Sequence, residues 1–402
     1  MEMQKRFVLS MRGCRSGRKE DGMAAKKKVL FVITQFYKGG AEVALLNLFR
    51  TLSPKEYEID FLIFDQIVLK NAQSLIEEIP SWIRVCNAAE REGRFAIIFK
   101  IWSKIYQKVT KRQLYRRSAY QFVRWKRYDI AFSYGEWLSP EFVAKKVKAK
   151  KKMVWIHTDI DKANYVEEKI LFGFDKMYDR YIFVSEQSKK SAEKRFPFLK
   201  RKSVVVHNMC DEKAIRLAAE KSVSGLKSYP KPWLLSVGNL REEKNYPRQI
   251  EVMRILKERG ITLTWFCIGS TANYFVCQKV KELLEQYQLQ DQFILLGVKK
   301  NPYPYMKQAD AVMVLSDFES WSFVITEAKV LGVPVIATAT SGAKEQLVDG
   351  ETGIITSFEP EEIADQILEY LNNPLKKERI CKNLKGFSAK QDVIKEFQGL
   401  FS

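Results

Sequence analysis

Strand-like and helical stretches alternate along this chain from residue 28 onward, and the alternation runs through twice. Short apolar, β-branched runs lie at 28–34, 58–64, 130–133, 152–157, 180–185 and 203–207. After a polar, lysine-rich stretch at 211–231 they resume at 233–237, 263–268, 293–296, 311–315 and 333–338. Helical stretches fall between them, for example 41–52 and 247–259. Such alternation predicts α/β domains, each a parallel sheet with helices on both faces. At 402 residues and 46% apolar, the chain can bury two cores, and wholesale disorder is excluded. The expected division is a basic extension over 1–25, a first domain over 26–209, a linker over 210–230, a second domain over 231–385 and a terminal segment over 386–402. Open parallel sheets bind ligands beyond the carboxyl ends of their strands. Two such domains facing each other place the site in the cleft between them.

Several classes fall away at once. The six cysteines are scattered and none forms a C-x-x-C pair, so neither a disulfide scaffold nor a thiolate zinc site is expected. The only histidines, His157 and His207, exclude a histidine-rich zinc site. No apolar run approaches the ~18 residues of a spanning helix. The first 25 residues lack the ~7–15-residue apolar centre of a signal peptide.

Positive charge separates the two halves. The formal net charge is +20, and residues 1–200 hold +18 of it. Between 100 and 127 there are ten basic side chains and no acidic one, and 145–152 adds six lysines. Lys100, Lys104, Lys108 and Arg112 recur every four residues, a basic stripe on a helix that Arg116 extends. Ile98, Trp102, Ile105 and Val109 form an apolar stripe at similar spacing. The segment reads as a solvated helix face, an amphipathic helix on an anionic membrane, or a nucleic-acid surface. No helix-turn-helix, RNA-binding or finger signature accompanies it, so no nucleic acid is expected. The anionic membrane is the partner adopted, since each Lys or Arg near such a surface contributes about 1 kcal/mol. The expected place is cytoplasmic, peripheral on the inner face of the cell membrane.

Three blocks carry chemistry. The first strand-to-helix turn reads Lys38-Gly39-Gly40-Ala41-Glu42. Its glycines let a backbone approach a ligand near a helix N-terminus, although an ordinary turn would look the same. The second repeat opens Val237-Gly238-Asn239-Leu240-Arg241-Glu242-Glu243-Lys244-Asn245. Arg241 and Lys244 beyond a strand can neutralise a diphosphate, or decorate a solvated loop. Between the strands at 311–315 and 333–338 lies Glu319-Ser320-Trp321-Ser322, with Glu327 in the following helix, which Gly332 ends. Carboxylates eight residues apart across a loop-to-helix turn can address two parts of one ligand, with helix N-terminal amides facing its phosphate. Neither G-x-G-x-x-G nor a Walker A sequence occurs.

These blocks, in this order, with Gly332-Val333-Pro334-Val335 and Asp349-Gly350-x-x-Gly353 after them, resemble the retaining glycosyltransferases of family 4. The likeness covers roughly 26–400 and is densest over 233–355. It implies the GT-B fold, two Rossmann-like parallel-sheet domains facing across a cleft, with a nucleotide-sugar held mainly by the second. It implies that Lys244 binds the diphosphate, Glu327 the ribose and Glu319 the donor sugar. His157 and the Gly40 amide would face that sugar and its phosphate, Val298 and Lys299 would touch the base, and the last helix would cross back to the first domain. His207-Asn208 sits where the family has an Asn before its interdomain linker.

The family's Arg after Gly238 is Asn239 here, which leaves open whether Arg241 replaces it. Ser320 and Ser322 stand where glycines are common, which bears on the donor sugar that fits. Asp159-Ile160-Asp161 matches the metal-binding D-x-D of the other glycosyltransferase fold, but the two-repeat layout contradicts that fold. No metal or other cofactor is expected.

The expected activity is retaining, metal-independent transfer of a sugar from a nucleotide diphosphate to a glycolipid, a lipid-linked saccharide or a polysaccharide. Attack would come from the donor's front face, with Glu319 positioning the sugar. A GT-B relative that epimerises or hydrolyses nucleotide-sugars is the alternative, and a nucleic-acid-binding protein a weaker one. Oligomeric state is not legible.

Overall fold

The computed structural model describes residues 25–66, 74–91, 95–110, 115–136, 139–158, 160, 168–223, 225–388 and 390–402. Two wholly parallel sheets organise them. The first contains β1 (Lys27–Ile33), β2 (Tyr57–Ile63), β3 (Arg84–Asn87), β4 (Tyr128–Tyr134), β5 (Ala149–Ile156), β6 (Arg180–Phe183) and β7 (Ser203–Val205) in the order β3-β2-β1-β4-β5-β6-β7. The second contains β8 (Trp233–Val237), β9 (Thr264–Ile268), β10 (Phe293–Gly297), β11 (Ala311–Val314), β12 (Val335–Thr338) and β13 (Ile354–Thr356) in the order β10-β9-β8-β11-β12-β13. Both are the doubly wound arrangement of a GT-B protein.

Strand β1 shows why. Val29, Phe31 and Ile33 enter one apolar cluster and Leu30 and Val32 another, because helices cover both faces of the sheet. A strand buried on both sides reads as a continuous apolar run rather than an alternating one. Strands β3 and β13 escape sequence reading because they are short edges; only Cys86 of β3 is buried. Strand β5 starts three residues before its apolar run. Its lysine-bearing amino end emerges from the core, where Lys150 pairs with Asp129 at 2.8 Å.

The terminal helix Lys390–Gly399 packs on the first sheet, and its Val393 and Phe397 join that core. Within the expected linker, the helix Glu212–Ala219 is ordered, with Ile215 clustered on Cys210 and Val330.

The basic segment is not one helix over 100–127. Helices span Phe95–Thr110 and Arg117–Val123, while Arg112 lies outside the described residues. Arg116 corrects the expected surface stripe: it is 3% exposed, and its guanidinium lies 2.5 Å from the Asp65 carboxylate. A buried guanidinium needs such a partner, so Arg116 ties the start of its helix to the loop after β2.

Where β8 and β9 deliver their loops to the cleft, the backbones nearly touch. A methyl group at Gly269 would sit 1.8 Å from the Gly238 carbonyl oxygen. Gly269→Ala should therefore destabilise the chain by ~2–4 kcal/mol, measured by denaturant unfolding. A change within ~0.5 kcal/mol would contradict this packing.

Candidate functional site

The second domain brings its charged residues together beyond the carboxyl ends of β8 and β11. Lys244 precedes the helix Tyr246–Glu258, and its Nζ lies 2.5 Å from Glu319 Oε2. The Ser316 hydroxyl reaches the same oxygen at 3.4 Å. The Lys244 stem lies along Gly238, where an added methyl would be 3.7–3.9 Å from its carbons. Asn245 then turns the chain through a left-handed conformation (φ +43°), which Asn tolerates better than most residues. Its side chain accepts the Arg248 N–H at 3.1 Å and donates to both Asp317 oxygens, at 3.0 and 3.1 Å. Arg248 also donates to Asp317 at 2.6 Å. The Lys-Asn corner is thus fastened to the loop that carries Glu319.

That loop is held from behind. The Gly342 N–H donates to the Glu319 carbonyl at 2.7 Å, and a methyl at Gly342 would collide with that oxygen. Ser322 has a different role from the expected donor contact. It is 2% exposed, and its N–H donates to Gln346 Oε1 at 2.8 Å while its carbonyl accepts from Gln346 Nε2. Ser322 therefore anchors the loop, and its amide is not offered to a phosphate.

Glu327 lies in the helix Phe323–Leu331 and accepts the Tyr303 hydroxyl proton at 3.0 Å. Burial lifts its carboxyl to about 7, against the opposing pull of the Tyr303 hydrogen bond and the Lys38 charge from the first domain. The other expected donor contacts lie apart. Asn239 accepts the Ser270 N–H at 3.0 Å and caps a loop. Arg241 is 63% exposed and only 3.8 Å from Glu243, beside an open hollow shared with Asn239 and Ser270. Val298 is exposed, and Lys299 lies over the Tyr305 ring.

From the first domain, Gly40 opens the helix Gly40–Thr51 and meets the second domain directly. A methyl there would touch the Phe323 ring at 3.4 Å. At Gly39 a methyl would overlap the Glu42 carboxylate, which folds back over the turn. His157 follows β5, lies 4.4 Å from the Tyr134 ring at a tilt of 47°, and keeps both ring nitrogens buried without a hydrogen-bond partner. Burial depresses its pKa to about 3, so the imidazole is neutral. Beneath it, Glu136 accepts the His157 N–H at 2.5 Å and the Thr158 N–H at 3.0 Å. Burial raises the Glu136 carboxyl, those amides oppose the shift, and Glu42 adds to it.

A second histidine binds the domains together. His207, just beyond β7, lies 2.7 Å from Glu396 of the terminal helix and 3.1 Å from Glu345 of the second domain. Burial disfavours its charge, yet hydrogen bonds and charge from both glutamates override this and lift its pKa to about 9. Glu345 also accepts the Glu186 and Gln187 N–H groups, and the Trp321 ring rests 4.6 Å from the imidazole.

Of the expected residues, Lys244 and Glu319 pair beyond β8 and β11, Glu327 lies on the helix that follows and feels the Lys38 charge of the first domain, and Gly40 meets that helix at Phe323, while His157 lies beyond β5 beside Tyr134 and Glu136. Asp317, Arg248, Gln346, Tyr303 and Glu136 were not anticipated, because each acts through a contact between segments distant in sequence. Asp159 and Asp161 lie outside the described residues. Among the described residues, no three His, Cys, Asp or Glu side chains gather as a metal site.

Residues 219–386 match the family model "Glycosyl transferases group 1". Trehalose synthase of Pyrococcus horikoshii is 27% identical over 61% of this chain and 61% of its own length. N-acetylgalactosamine-N,N'-diacetylbacillosaminyl-diphospho-undecaprenol 4-alpha-N-acetylgalactosaminyltransferase of Campylobacter jejuni is 26% identical over 53% of this chain and 56% of itself. The chain thus spans less than two thirds of the length of these relatives. Among solved structures, Anabaena HepE in complex with UDP and glucose covers 93% of this chain and 98% of its own, with TM-score 0.68 and 18% identity. That likeness establishes the GT-B fold.

Proposed function

We propose that this GT-B chain is a retaining glycosyltransferase that moves a sugar from a nucleoside-diphosphate donor to a hydroxyl of a membrane-associated glycolipid or lipid-linked saccharide. The observation that carries the reading is the Lys244–Glu319 pair beyond β8 and β11, with Glu327 on the following helix, whose first residue Phe323 meets Gly40 of the first domain. The match of residues 219–386 to glycosyl transferases and the UDP bound by Anabaena HepE support it. The acceptor class draws support from the Campylobacter relative, whose name specifies an undecaprenol-linked substrate.

In this reading, Glu327 accepts hydrogen bonds from the ribose and Lys244 meets the diphosphate. Neutral His157 faces the sugar without adding charge. The acceptor oxygen bonds to the anomeric carbon on the face the diphosphate leaves, the carbon–phosphate oxygen bond breaks, and the acceptor proton passes to the departing diphosphate. Positive charge at Lys244 stabilises the leaving group where another enzyme would use a cation. Activity should therefore persist in excess EDTA; loss that Mg²⁺ or Mn²⁺ restores would contradict this and implicate Asp159 and Asp161. The reading itself is tested by incubating the chain with a panel of UDP-, GDP- and ADP-sugars and bacterial glycolipid. One donor should release its nucleoside diphosphate and label the lipid in the donor's own anomeric configuration.

The helix Phe95–Thr110 supports peripheral membrane attachment. It leaves Ile98, Ile101, Trp102, Ile105 and Val109 exposed, with Lys104 and Lys108 exposed beside them. No helix among the described residues is long and apolar enough to cross a membrane. Lys100 lies on this helix as well. An apolar strip this short needs electrostatic attraction, which salt screens as the Debye length falls from ~10 Å at 0.1 M to ~3 Å at 1 M. The chain should sediment with anionic vesicles at low salt, release at high salt and ignore neutral vesicles. Lys104→Glu with Lys108→Glu should weaken sedimentation strongly. Equal binding to neutral and anionic vesicles would refute the attachment.

A further inference from the structure

The group placed to meet the donor's diphosphate already has an anionic partner. Lys244 Nζ is held at 2.5 Å by Glu319 Oε2, and neither side chain is fully buried: 25% of Lys244 and 18% of Glu319 remain exposed. The Glu319 backbone is fixed by Gly342, and its carboxylate is steadied by Ser316. The Lys244 backbone is fixed by the Asn245–Asp317 corner. Both partners are therefore presented to each other by rigid loops, and an incoming phosphate competes with a carboxylate for the same ammonium.

We propose that Glu319 is an internal competitor for the diphosphate site, which makes the chain select nucleotide-sugars over free nucleoside diphosphates. The inference rests on the nucleotide-sugar reading above. A free nucleoside diphosphate must draw Lys244 away from Glu319 and leave that carboxylate without its partner. A nucleotide-sugar also displaces it, but brings hydroxyls that donate to the freed carboxylate. The cost of breaking the pair is thus recovered only when a sugar is attached. Once the sugar has been transferred, Glu319 loses those hydroxyls and returns to Lys244, which hastens departure of the product diphosphate. Glu319 is in this sense a specificity-determining residue, apart from any contact that positions the sugar.

The test is calorimetric titration of the full chain with UDP, GDP and ADP, comparing wild type with Glu319→Gln. The amide keeps the shape and removes the charge. Glu319→Gln should bind the preferred nucleoside diphosphate about fivefold more tightly, the scale of a partly exposed ion pair. The gain should vanish in a Lys244→Met background, because the competition is then already absent. Glu319→Asp, which shortens the carboxylate's reach, should give a smaller gain and serves if the amide variant does not fold. Binding by wild type that is unchanged or weakened in these variants would overturn the inference and leave the functional reading standing. No nucleoside diphosphate binding by any of the proteins would overturn the inference, and absence of binding by UDP-, GDP- and ADP-sugars as well would overturn both.

Discussion

Lys244→Met should lower turnover by about 10²–10³-fold, the range seen when one preorganised group aimed at developing charge is removed. The variant keeps the side-chain stem that lies along Gly238 and removes only the ammonium. Asn239 is spent on the Ser270 amide and Arg241 points into an exposed hollow, so neither is placed to take over the lost charge. Stability should change little, because a partly exposed ion pair contributes ~0–1 kcal/mol. Steady-state kinetics paired with thermal unfolding separates the two effects. Turnover within threefold of wild type would remove Lys244 from the leaving-group site. A collapse of the melting temperature would show that the residue is structural.

Glu327→Ala should weaken donor binding by about 10–100-fold, the ~1.5–3 kcal/mol of a hydrogen bond to a charged group. The same carboxylate gives binding a pH dependence of definite sign. With its pKa raised to about 7, much of the empty protein carries a protonated Glu327 at neutral pH. In the proposed reading ribose hydroxyls donate to this carboxylate, so donor affinity should rise as pH increases through 7 and level off above it. Folding responds in the opposite direction: a raised carboxyl pKa favours the folded state below 4.5, and that contribution fades as pH climbs to about 7. Donor titrations between pH 5.5 and 8.5, with denaturant unfolding between pH 4 and 8, on wild type and Glu327→Ala check both expectations. A pH-independent donor affinity in wild type, or an equal slope in the variant, would place the titrating group elsewhere.

What could be read from the chain, and what could not, follows a physical line. Strands buried on both faces announce themselves as apolar runs, so both parallel sheets were legible while the short edges β3 and β13 were not. Glycines stand where backbones meet, and Gly39, Gly40 and Gly342 each border a residue of the cleft. Lys244, Glu319 and Glu327 stand out in the sequence through motif spacing and the family resemblance it carries. Their supports do not: Asp317, Gln346 and Tyr303 are ordinary residue types whose roles exist only once distant segments are folded together. Arg116 fails for the same reason. Four-residue spacing says which positions share a helix face, but the helix breaks before it and Asp65 draws it inward. Ser322 is expected near the donor sugar because it stands where the family commonly has a glycine, yet its amide donates to Gln346.

The central claim is that the cleft holds a nucleotide-sugar, gripped mainly from the second domain. Titrating the full chain with UDP-, GDP- and ADP-sugars in a calorimeter tests it most directly. Saturable binding at one site per chain is predicted for one base, at least tenfold weaker in Glu327→Ala and unaffected by EDTA. Absence of binding by every nucleotide-sugar, or binding that Glu327→Ala leaves unchanged, would contradict it.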